Sequence, residues 1–532
     1  MPANGGNTKG AMTASYEIAG GDFDRAGDAS DALKRTLKRL GVKPEIIRRS
    51  VIAAYEAEMN VVIHARKGRM QVALDPRRLD VTVTDEGPGI PDIPTAMLEG
   101  FSTASDYARQ LGFGAGTGLP NIRKCSDRLA VESEVGRSTT LRFRILLEPV
   151  SAVGEGRSSL RIRPARCTKC LRCVSACPTA ALRVRNGTPV LLPHLCTDCA
   201  ECIAVCGAGA LSLECDEPFP DAGRDTVLVM NAACALQFGP AFSAGKMEAA
   251  LLSRGFRDIR YLEEWEESLL AAVAQEAKRK GRPGPLIAPV CPAALNLIAV
   301  KFPALLPFVA PYLSPIEAAA KELADARVVF AVACPAQATA VASGQSEGRH
   351  RTGSAKTLNR YTQAVAEAGR RSFSGSPADG SGASGPEETL RVSGIRHVMR
   401  VFEQVENGLL SDFAVLAPYA CDLGCFGSPL MIADAFAAQH RALRPHRTSG
   451  SAGRAIERSE PLRPRPGLRL DPDMGQAIEK LARMDALRRR LPGRDCGMCG
   501  APTCEMLAED IVLNRAGVSA CPYQPDLKED PL

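Results

Sequence analysis

Cysteine is the residue type whose spacing carries the most chemistry in this chain of 532 residues. Sixteen of the nineteen cysteines form four groups of four. Their spacing is typical of iron–sulfur clusters rather than of zinc sites, which use paired cysteine knuckles, often with histidine. In chain order the groups are Cys167, Cys170, Cys173 and Cys177; Cys196, Cys199, Cys202 and Cys206; Cys291, Cys334, Cys421 and Cys425; and Cys496, Cys499, Cys504 and Cys521.

The first 150 residues contain a second set of chemically informative positions. Glu56 and Asn60 lie four apart in a predicted helix that opens at Pro44, so they share one face. Asp85 follows a predicted strand, where a carboxylate can accept the adenine amino group, and a glycine run at 112–118 leads into a helix whose free amides suit phosphate. The side-chain oxygen of Asn60 suits magnesium, which prefers oxygen ligands.

In this order, and with 138–140 ahead of a last strand, these segments resemble the histidine-kinase-like ATPase superfamily, most closely its anti-sigma-factor-type serine kinases. The resemblance implies that Asn60 holds magnesium, Asp85 reads adenine, and Glu56 is the base that accepts the proton of a target hydroxyl. An α/β domain with incidental glycines is the alternative. The candidate cofactor-binding residues are Asn60, Asp85, Gly87, Gly89, Gly112, Gly114, Gly116, Thr117, Gly118 and Thr139.

The first two cysteine groups cannot easily place all four of their sulfurs on one metal. In known proteins with this spacing, the first three thiolates bind one cluster and the fourth thiolate binds the neighbouring cluster. That arrangement joins the first three cysteines of each group to the last cysteine of the other, namely Cys206 and Cys177. The segment resembles a bacterial two-cluster ferredoxin and departs from it at Gly207, where the second motif lacks its proline.

The third group is scattered, and each of its cysteines taken alone fits a buried thiol. Placed after a two-cluster ferredoxin, the segments 288–292, 333–337 and 420–425 resemble the three cluster-binding signatures of the iron-only hydrogenase large subunit, over about 220–440. The resemblance implies a cubane on the four cysteines, with Cys425 also bridging to a two-iron unit. Val290 stands where catalytic members carry a proton-relaying cysteine, and Gln337 where they carry a cyanide-gripping lysine. Valine cannot titrate, so we expect the cubane but neither the two-iron unit nor fast hydrogen turnover.

The fourth group closes the chain. Glycines at 493, 497 and 500 allow a tight wrap around a cluster, and a helix predicted from Glu505 covers one side. The segment resembles the small four-cysteine cluster domain of electron-transfer and corrinoid-linked proteins, with a zinc knuckle as the alternative. The remaining cysteines, Cys125, Cys215 and Cys234, are interpreted as packing thiols.

These sites require a multidomain chain of α/β and α+β class. We predict an N-terminal ATP-binding α/β sandwich (12–150), a ferredoxin-like two-cluster domain (161–215), a hydrogenase-like α/β domain (221–440), a basic linker (441–476) and a small C-terminal helical Fe-S module (477–532). Residues 343–391 are rich in Gly, Ser and Pro, so we expect a disordered excursion within the third domain.

Composition restricts the partners and the location. A formal charge of +6 over this length gives no signal for nucleic acid, and no stretch approaches ~18 uninterrupted apolar residues, so we expect no membrane span. Abundant thiols without an apolar leader predict a cytoplasmic protein. The expected cofactors are ATP, Mg²⁺ and four 4Fe-4S clusters. The expected partners are a protein phosphoacceptor or anti-sigma-type protein and a redox partner, and related kinases often form homodimers.

The combination predicts an ATP-binding redox or hydrogen sensor-regulator. In this hypothesis the hydrogenase-like domain registers redox state and the kinase domain phosphorylates or sequesters a partner. A nucleotide-gated hydrogenase, an ATP-coupled electron carrier and a binding module in which ATP only sets partner affinity are the alternatives.

Overall fold

The computed structural model describes most of the chain as two compact units. One unit draws on Met1–Val153, Leu468–Cys499 and Thr503–Leu532, and the other on Gly154–Gly467 and Gly500–Pro502. The described residues are 11–104, 114, 116–149, 156–215, 219–220, 222–223, 225–237, 244–279, 284–344, 349–368, 389–408, 410, 412–442, 454–465, 467 and 469–524.

The N-terminal domain is built on an antiparallel sheet with strand order β1-β2-β3-β5-β4. Side chains alternate along β2, where Met70, Val72 and Leu74 are buried and the residues between them are exposed, as expected for a half-buried sheet. The strands are Met12–Ala19 (β1), Lys67–Asp75 (β2), Arg78–Glu86 (β3), Arg128–Glu134 (β4) and Ser138–Leu146 (β5).

Helices cover this sheet, and the longest begins where the sequence predicts. They are Asp28–Arg39 (α1), Pro44–His64 (α2), Ile93–Ala96 (α3) and Gly118–Cys125 (α4). Pro44 occupies the first position of α2, where its missing N–H costs nothing and its fixed φ favours the helix. Leu33 and Leu37 of α1 are fully buried, so α1 is anchored in the core.

The second unit starts with two short, similar halves, which confirms the ferredoxin-like domain. Its elements are Leu160–Ile162 (β6), Arg172–Ala176 (α5), Leu182–Arg185 (β7), Thr188–Leu191 (β8), Glu201–Ala204 (α6) and Leu211–Leu213 (β9). Strand β6 pairs with β9 and β7 with β8, both antiparallel. Leu171 and Ala200 occupy equivalent places before α5 and α6, and both have positive φ, of 60° and 67°. The backbone therefore repeats the duplication seen in the cysteine spacing.

The hydrogenase-like domain contains two parallel sheets, of order β11-β10-β13-β14 and β12-β16-β15. Its strands are Thr226–Met230 (β10), Phe256–Tyr261 (β11), Leu286–Ile287 (β12), Arg327–Val332 (β13), His350–Ser354 (β14), Thr389–Ser393 (β15) and Val415–Tyr419 (β16). Every residue of β10 is buried, as is usual when helices cover both faces of a parallel sheet. The helices are Ala232–Ala235 (α7), Ala244–Ser253 (α8), Glu263–Ala277 (α9), Pro292–Lys301 (α10), Pro315–Glu322 (α11), Pro335–Ala342 (α12), Ala355–Ala368 (α13), Ile395–Glu406 (α14) and Ala435–Ala442 (α15).

The expectation of disorder in 343–391 is wrong for 350–368, which form a strand and a helix. Strand β14 pairs in parallel with β13, and the following helix α13 buries Ala355 and Leu358 in the core. The composition of the whole segment obscured this short strand and amphipathic helix, whose order comes from pairing and burial rather than from hydrophobic content. The part of the expectation that concerns 369–388 lies outside the described residues.

The basic linker also has structure where it is described. The N–H of Leu313 donates to the carbonyl of Ile456 at 2.9 Å, and the Arg458 N–H to that of Pro311 at 2.9 Å. The C-terminal helices are Met474–Arg490 (α16) and Cys504–Val512 (α17). Helix α16 begins three residues before the predicted boundary at 477, because the side chain of Asp473 caps it by accepting from the Gln476 N–H at 2.8 Å.

Candidate functional site

The helix α2 presents Glu56 and Asn60 to the start of α4. The amide nitrogen of Asn121 donates to Oε1 of Glu56 at 2.7 Å. A Cβ added at Gly118 would lie 3.2 Å from Oδ1 of Asn60 and 3.4 Å from Oε2 of Glu56. The structure therefore brings together the predicted base, the predicted magnesium ligand and the end of the glycine run. Sequence reasoning missed Asn121, which lies three residues after the glycine run.

Asp85 lies at the end of β3 with its carboxylate fixed by the neighbouring strand. The N–H of Thr139 donates to Oδ1 of Asp85 at 3.2 Å. Burial raises the pKa of Asp85, although backbone N–H groups of Thr139 and Gly87 oppose the rise. Sequence reasoning missed Ser133, which lies 3.0 Å from the Thr139 hydroxyl and accepts from the Ile90 N–H at 2.7 Å. Ser133 thus joins the strand carrying Thr139 to the turn after Asp85.

Three of the predicted glycines have a backbone that only glycine adopts easily. Gly89, Gly114 and Gly116 have φ values of 70°, 82° and 75°. A Cβ at Gly89 would lie 2.5 Å from the carbonyl oxygen of Glu134. These residues therefore hold their turns close to neighbouring backbone. Gly112 lies outside the described residues.

In the ferredoxin-like domain, thiols of the two cysteine groups lie close enough to interact electrostatically. Burial raises the pKa of Cys173, and the proximity of Cys206, Cys167 and Cys170 adds to the rise. Burial likewise raises the pKa of Cys202, and the proximity of Cys199, Cys177, Cys196 and Cys173 adds to the rise. The last cysteine of each group thus lies near the other group.

Backbone amides point at several of these sulfurs. N–H groups of Lys169 and Asp198 donate to the sulfurs of Cys167 and Cys196, each at 3.4 Å, and that of Ala181 to Cys177 at 3.2 Å. Hydrogen bonds to thiolate sulfur help to set cluster reduction potentials. The donor set and the loops therefore fit 4Fe-4S clusters.

Three cysteines of the third group follow the carboxyl ends of parallel strands. Cys291 follows β12 and Cys421 follows β16, which are paired in one sheet, so their ends lie at one edge of that sheet, whereas Cys334 follows β13 of the other sheet. The proline after Cys291 and after Cys334 opens a helix and leaves the cysteine extended, with φ of −124° and −156°.

All four cysteines of this group line one cavity of about 370 Å³. Val290 and Gln337 line it too. The amide nitrogen of Gln337 donates to the sulfur of Cys425 at 3.9 Å, while its oxygen accepts from the Ala333 N–H at 2.7 Å. Val290 is only 6% exposed and supplies no titratable atom at the cavity wall. The cavity and its thiols fit a cubane.

Two half-buried glutamates that sequence reasoning missed also line the cavity. Burial raises the pKa of Glu263 to about 7, and its Oε2 has no hydrogen-bond partner among the described residues. Glu266, one helical turn later, accepts from the hydroxyl of Tyr419 at 2.5 Å. The one available signal was a pair of glutamates three apart at the start of a helix within an apolar domain.

The C-terminal group is gathered around the start of α17. The carboxylate of Asp495 accepts from the Cys504 N–H at 2.7 Å, which ties the first cysteine loop to the helix. The guanidinium of Arg494 stacks 4.6 Å from the ring centre of Tyr523, which brings the segment with Cys521 to the same place. These thiols also fit a cluster.

Among the described residues, no three His, Cys, Asp or Glu side chains converge on a single ion. Of the remaining cysteines, Cys234 is fully buried, and burial raises its pKa to about 12, as expected for a packing thiol.

None of the helices in the described part of the chain has the length and apolar character needed to cross a bilayer.

Four family models match separate parts of the chain. They are the histidine kinase-like ATPase domain (22–145), the 4Fe-4S dicluster domain (159–207), the C-terminal domain of the iron only hydrogenase large subunit (224–348) and an Fe-S cluster domain (491–523). The third match includes Cys291 and Cys334 and ends before Cys421. The chain thus carries ATPase, iron–sulfur and hydrogenase-like domains.

Two solved structures resemble the chain at low similarity. One is an FeFe hydrogenase studied for oxygen inactivation of its H cluster (14% identity, TM-score 0.31, 45% of this chain and 87% of that one). The other is a variant of apo FeFe hydrogenase HydA1 from Chlamydomonas reinhardtii (12%, 0.30, 48% and 89%).

Curated relatives match the N-terminal domain. The serine/threonine-protein kinase RsbT of Bacillus subtilis (strain 168) is 32% identical over 113 residues, which are 20% of this chain and 79% of RsbT. The anti-sigma F factor of Geobacillus stearothermophilus is 30% identical over 103 residues, 19% of this chain and 64% of that protein. Through this domain, the chain belongs to the histidine kinase-like ATPase family that includes RsbT.

Proposed function

We propose that the protein is a redox-responsive serine kinase that acts in a partner switch. The contact of Asn121 with Glu56, beside Asn60 and Gly118, carries this proposal. In it Glu56 accepts the proton of the target serine, Asn60 holds Mg²⁺, and Asp85 accepts a hydrogen bond from the adenine amino group. The amides at the start of α4 contact phosphate.

The redox part of the proposal assigns one 4Fe-4S cluster to each crossed ferredoxin-like set and one to each of the other two cysteine groups. Such clusters supply one-electron storage, and each added electron changes the local charge. The thiols need a reducing compartment, so the proposal locates the protein in the cytoplasm. Its partners are a serine-bearing phosphoacceptor or anti-sigma-type protein and an electron donor, and the kinase domain forms a homodimer.

The residues that line the cysteine cavity favour a sensing role over hydrogen turnover. Val290 offers no proton carrier at the cavity wall, and Gln337 is a neutral residue whose side-chain oxygen already accepts a backbone hydrogen bond. Fast proton delivery needs a titratable group at each step.

The decisive experiment compares ATP turnover and phosphate transfer in oxidised and dithionite-reduced holoprotein. We expect the two states to differ, and Glu56→Gln to abolish transfer while nucleotide binding persists. Glu45→Gln is the matched control, because Glu45 is an exposed residue of the same helix. Identical transfer in both redox states would refute the proposal.

A nucleotide-gated hydrogenase is the second candidate, favoured by the carboxyl groups of Glu263 and Glu266, which line the cysteine cavity. It predicts infrared bands of iron-bound carbonyl and cyanide, and hydrogen evolution from a reduced dye. ATP hydrolysis stoichiometric with electron delivery, without a phosphoprotein, would instead indicate an ATP-coupled electron carrier.

A further inference from the structure

The C-terminal cysteine module contacts the end of α1 within one compact unit. The guanidinium of Arg39 donates to the carboxylate of Glu505. Beside it, the N–H of Leu470 donates to the Arg39 carbonyl at 3.0 Å. Gly41 has φ of 67°, and a Cβ there would lie 2.5 Å from Nε of Arg469. The contact is therefore close enough that a side chain at Gly41 would disturb it.

The ion pair in this contact is placed to respond to charge in the module. Arg39 is only 8% exposed, and its Nε has no hydrogen-bond partner among the described residues. Glu505 directly follows Cys504, a candidate cluster ligand. Charges interact more strongly away from water, so a charge added near Cys504 acts on the buried guanidinium with little screening.

The other end of α1 is held by the helix of the nucleotide site. The carboxylate of Glu58 accepts from the N–H groups of Gly27, Ala29 and Ser30 at 3.1, 3.1 and 3.0 Å. Glu58 lies on α2 between Glu56 and Asn60. Helix α1 thus joins the C-terminal module at one end to the candidate catalytic helix at the other.

We propose that the Arg39–Glu505 pair transmits the redox state of the C-terminal cluster to the nucleotide site through α1. The inference rests on the proposed function, because it needs a cluster on this cysteine group. One electron from a one-electron donor reduces the cluster, and the donor is oxidised; no proton is transferred. The added negative charge holds Arg39 more tightly, so reduction protects α1 against opening.

Amide hydrogen exchange of the full-length holoprotein tests the inference, with anaerobic oxidised and dithionite-reduced samples. We expect the amides of α1 to exchange about fivefold more slowly in the reduced state, the low end of allosteric couplings. Arg39→Gln and Glu505→Gln should both abolish this difference. Glu479→Gln should keep it, because Glu479 is exposed on α16 of the same module.

Wild-type exchange that is equal in both states would overturn the inference, as would a full redox response in Arg39→Gln or Glu505→Gln. The proposed function fails separately. If α1 responds to reduction while phosphate transfer does not, the coupling stands without a redox-controlled kinase. If transfer responds in both charge variants as in wild type, the kinase proposal stands and this route is wrong.

Discussion

The strongest structural prediction concerns Glu58, whose replacement by glutamine should loosen α1 without changing the shape of the side chain. Both carboxylate oxygens are used, one by Gly27 and Ala29 and the other by Ser30. Glutamine keeps one acceptor, so at least one buried N–H loses its partner, at about 1–3 kcal/mol. Loss of the negative charge at the helix N-terminus costs about 0.3–1 kcal/mol more. The sum is about 1.3–4 kcal/mol.

Hydrogen exchange of α1 in the full-length protein measures this cost directly. Because about 1.4 kcal/mol is tenfold, we expect the α1 amides to exchange roughly 10- to 700-fold faster in the variant. Glu17→Gln is the control, since Glu17 forms an exposed ion pair with Arg69 and its loss should be nearly silent. Unchanged protection of α1 in Glu58→Gln would show that this carboxylate does not anchor the helix.

Three further variants test individual sites. Gly118→Ala should leave thermal stability unchanged or slightly raised, since alanine favours a helix over glycine by up to about 1 kcal/mol. ATP turnover should fall, because the added methyl group contacts the side chain of Asn60. Undiminished turnover would count against the proposed nucleotide site. Asp85→Asn should lose ATP binding in calorimetry yet unfold at a higher temperature at pH 7. Burial raises the pKa of Asp85 above its ordinary value of 3.8, so the native state binds more protons than the unfolded state. The contribution of Asp85 to stability therefore falls as the pH rises from 3.8 through the raised pKa. A lower unfolding temperature of Asp85→Asn at pH 7 would contradict this reasoning. Cys177→Ser should change the electron paramagnetic resonance signal of one ferredoxin-like cluster, whereas Cys215→Ser should leave the spectrum and iron content unchanged.

Much of the fold could be predicted because its determinants are local. The sequence predicted a strand just before Asp85, where β3 lies, and Pro44 marked the first residue of α2. The cysteine spacing of 167–206 predicted crossed sets because known proteins with this spacing, the two-cluster ferredoxins, bind their clusters that way. The prediction of disorder in 343–391 was wrong in part because its determinants are not local. Strand β14 is ordered by pairing with β13, and the sequence of a short polar strand does not indicate that pairing.

Sequence alone determined the residue types at the candidate sites, including the valine and glutamine at the hydrogenase-like cysteines. Only the tertiary structure decided which distant groups meet. It brings Asn121 to Glu56, gathers Glu263 and Glu266 at the cysteine cavity, and joins Arg39 to Glu505 across 466 positions. Local spacing reflects the geometry of one helix, strand or loop, whereas these contacts depend on how whole elements pack, and no short pattern encodes that.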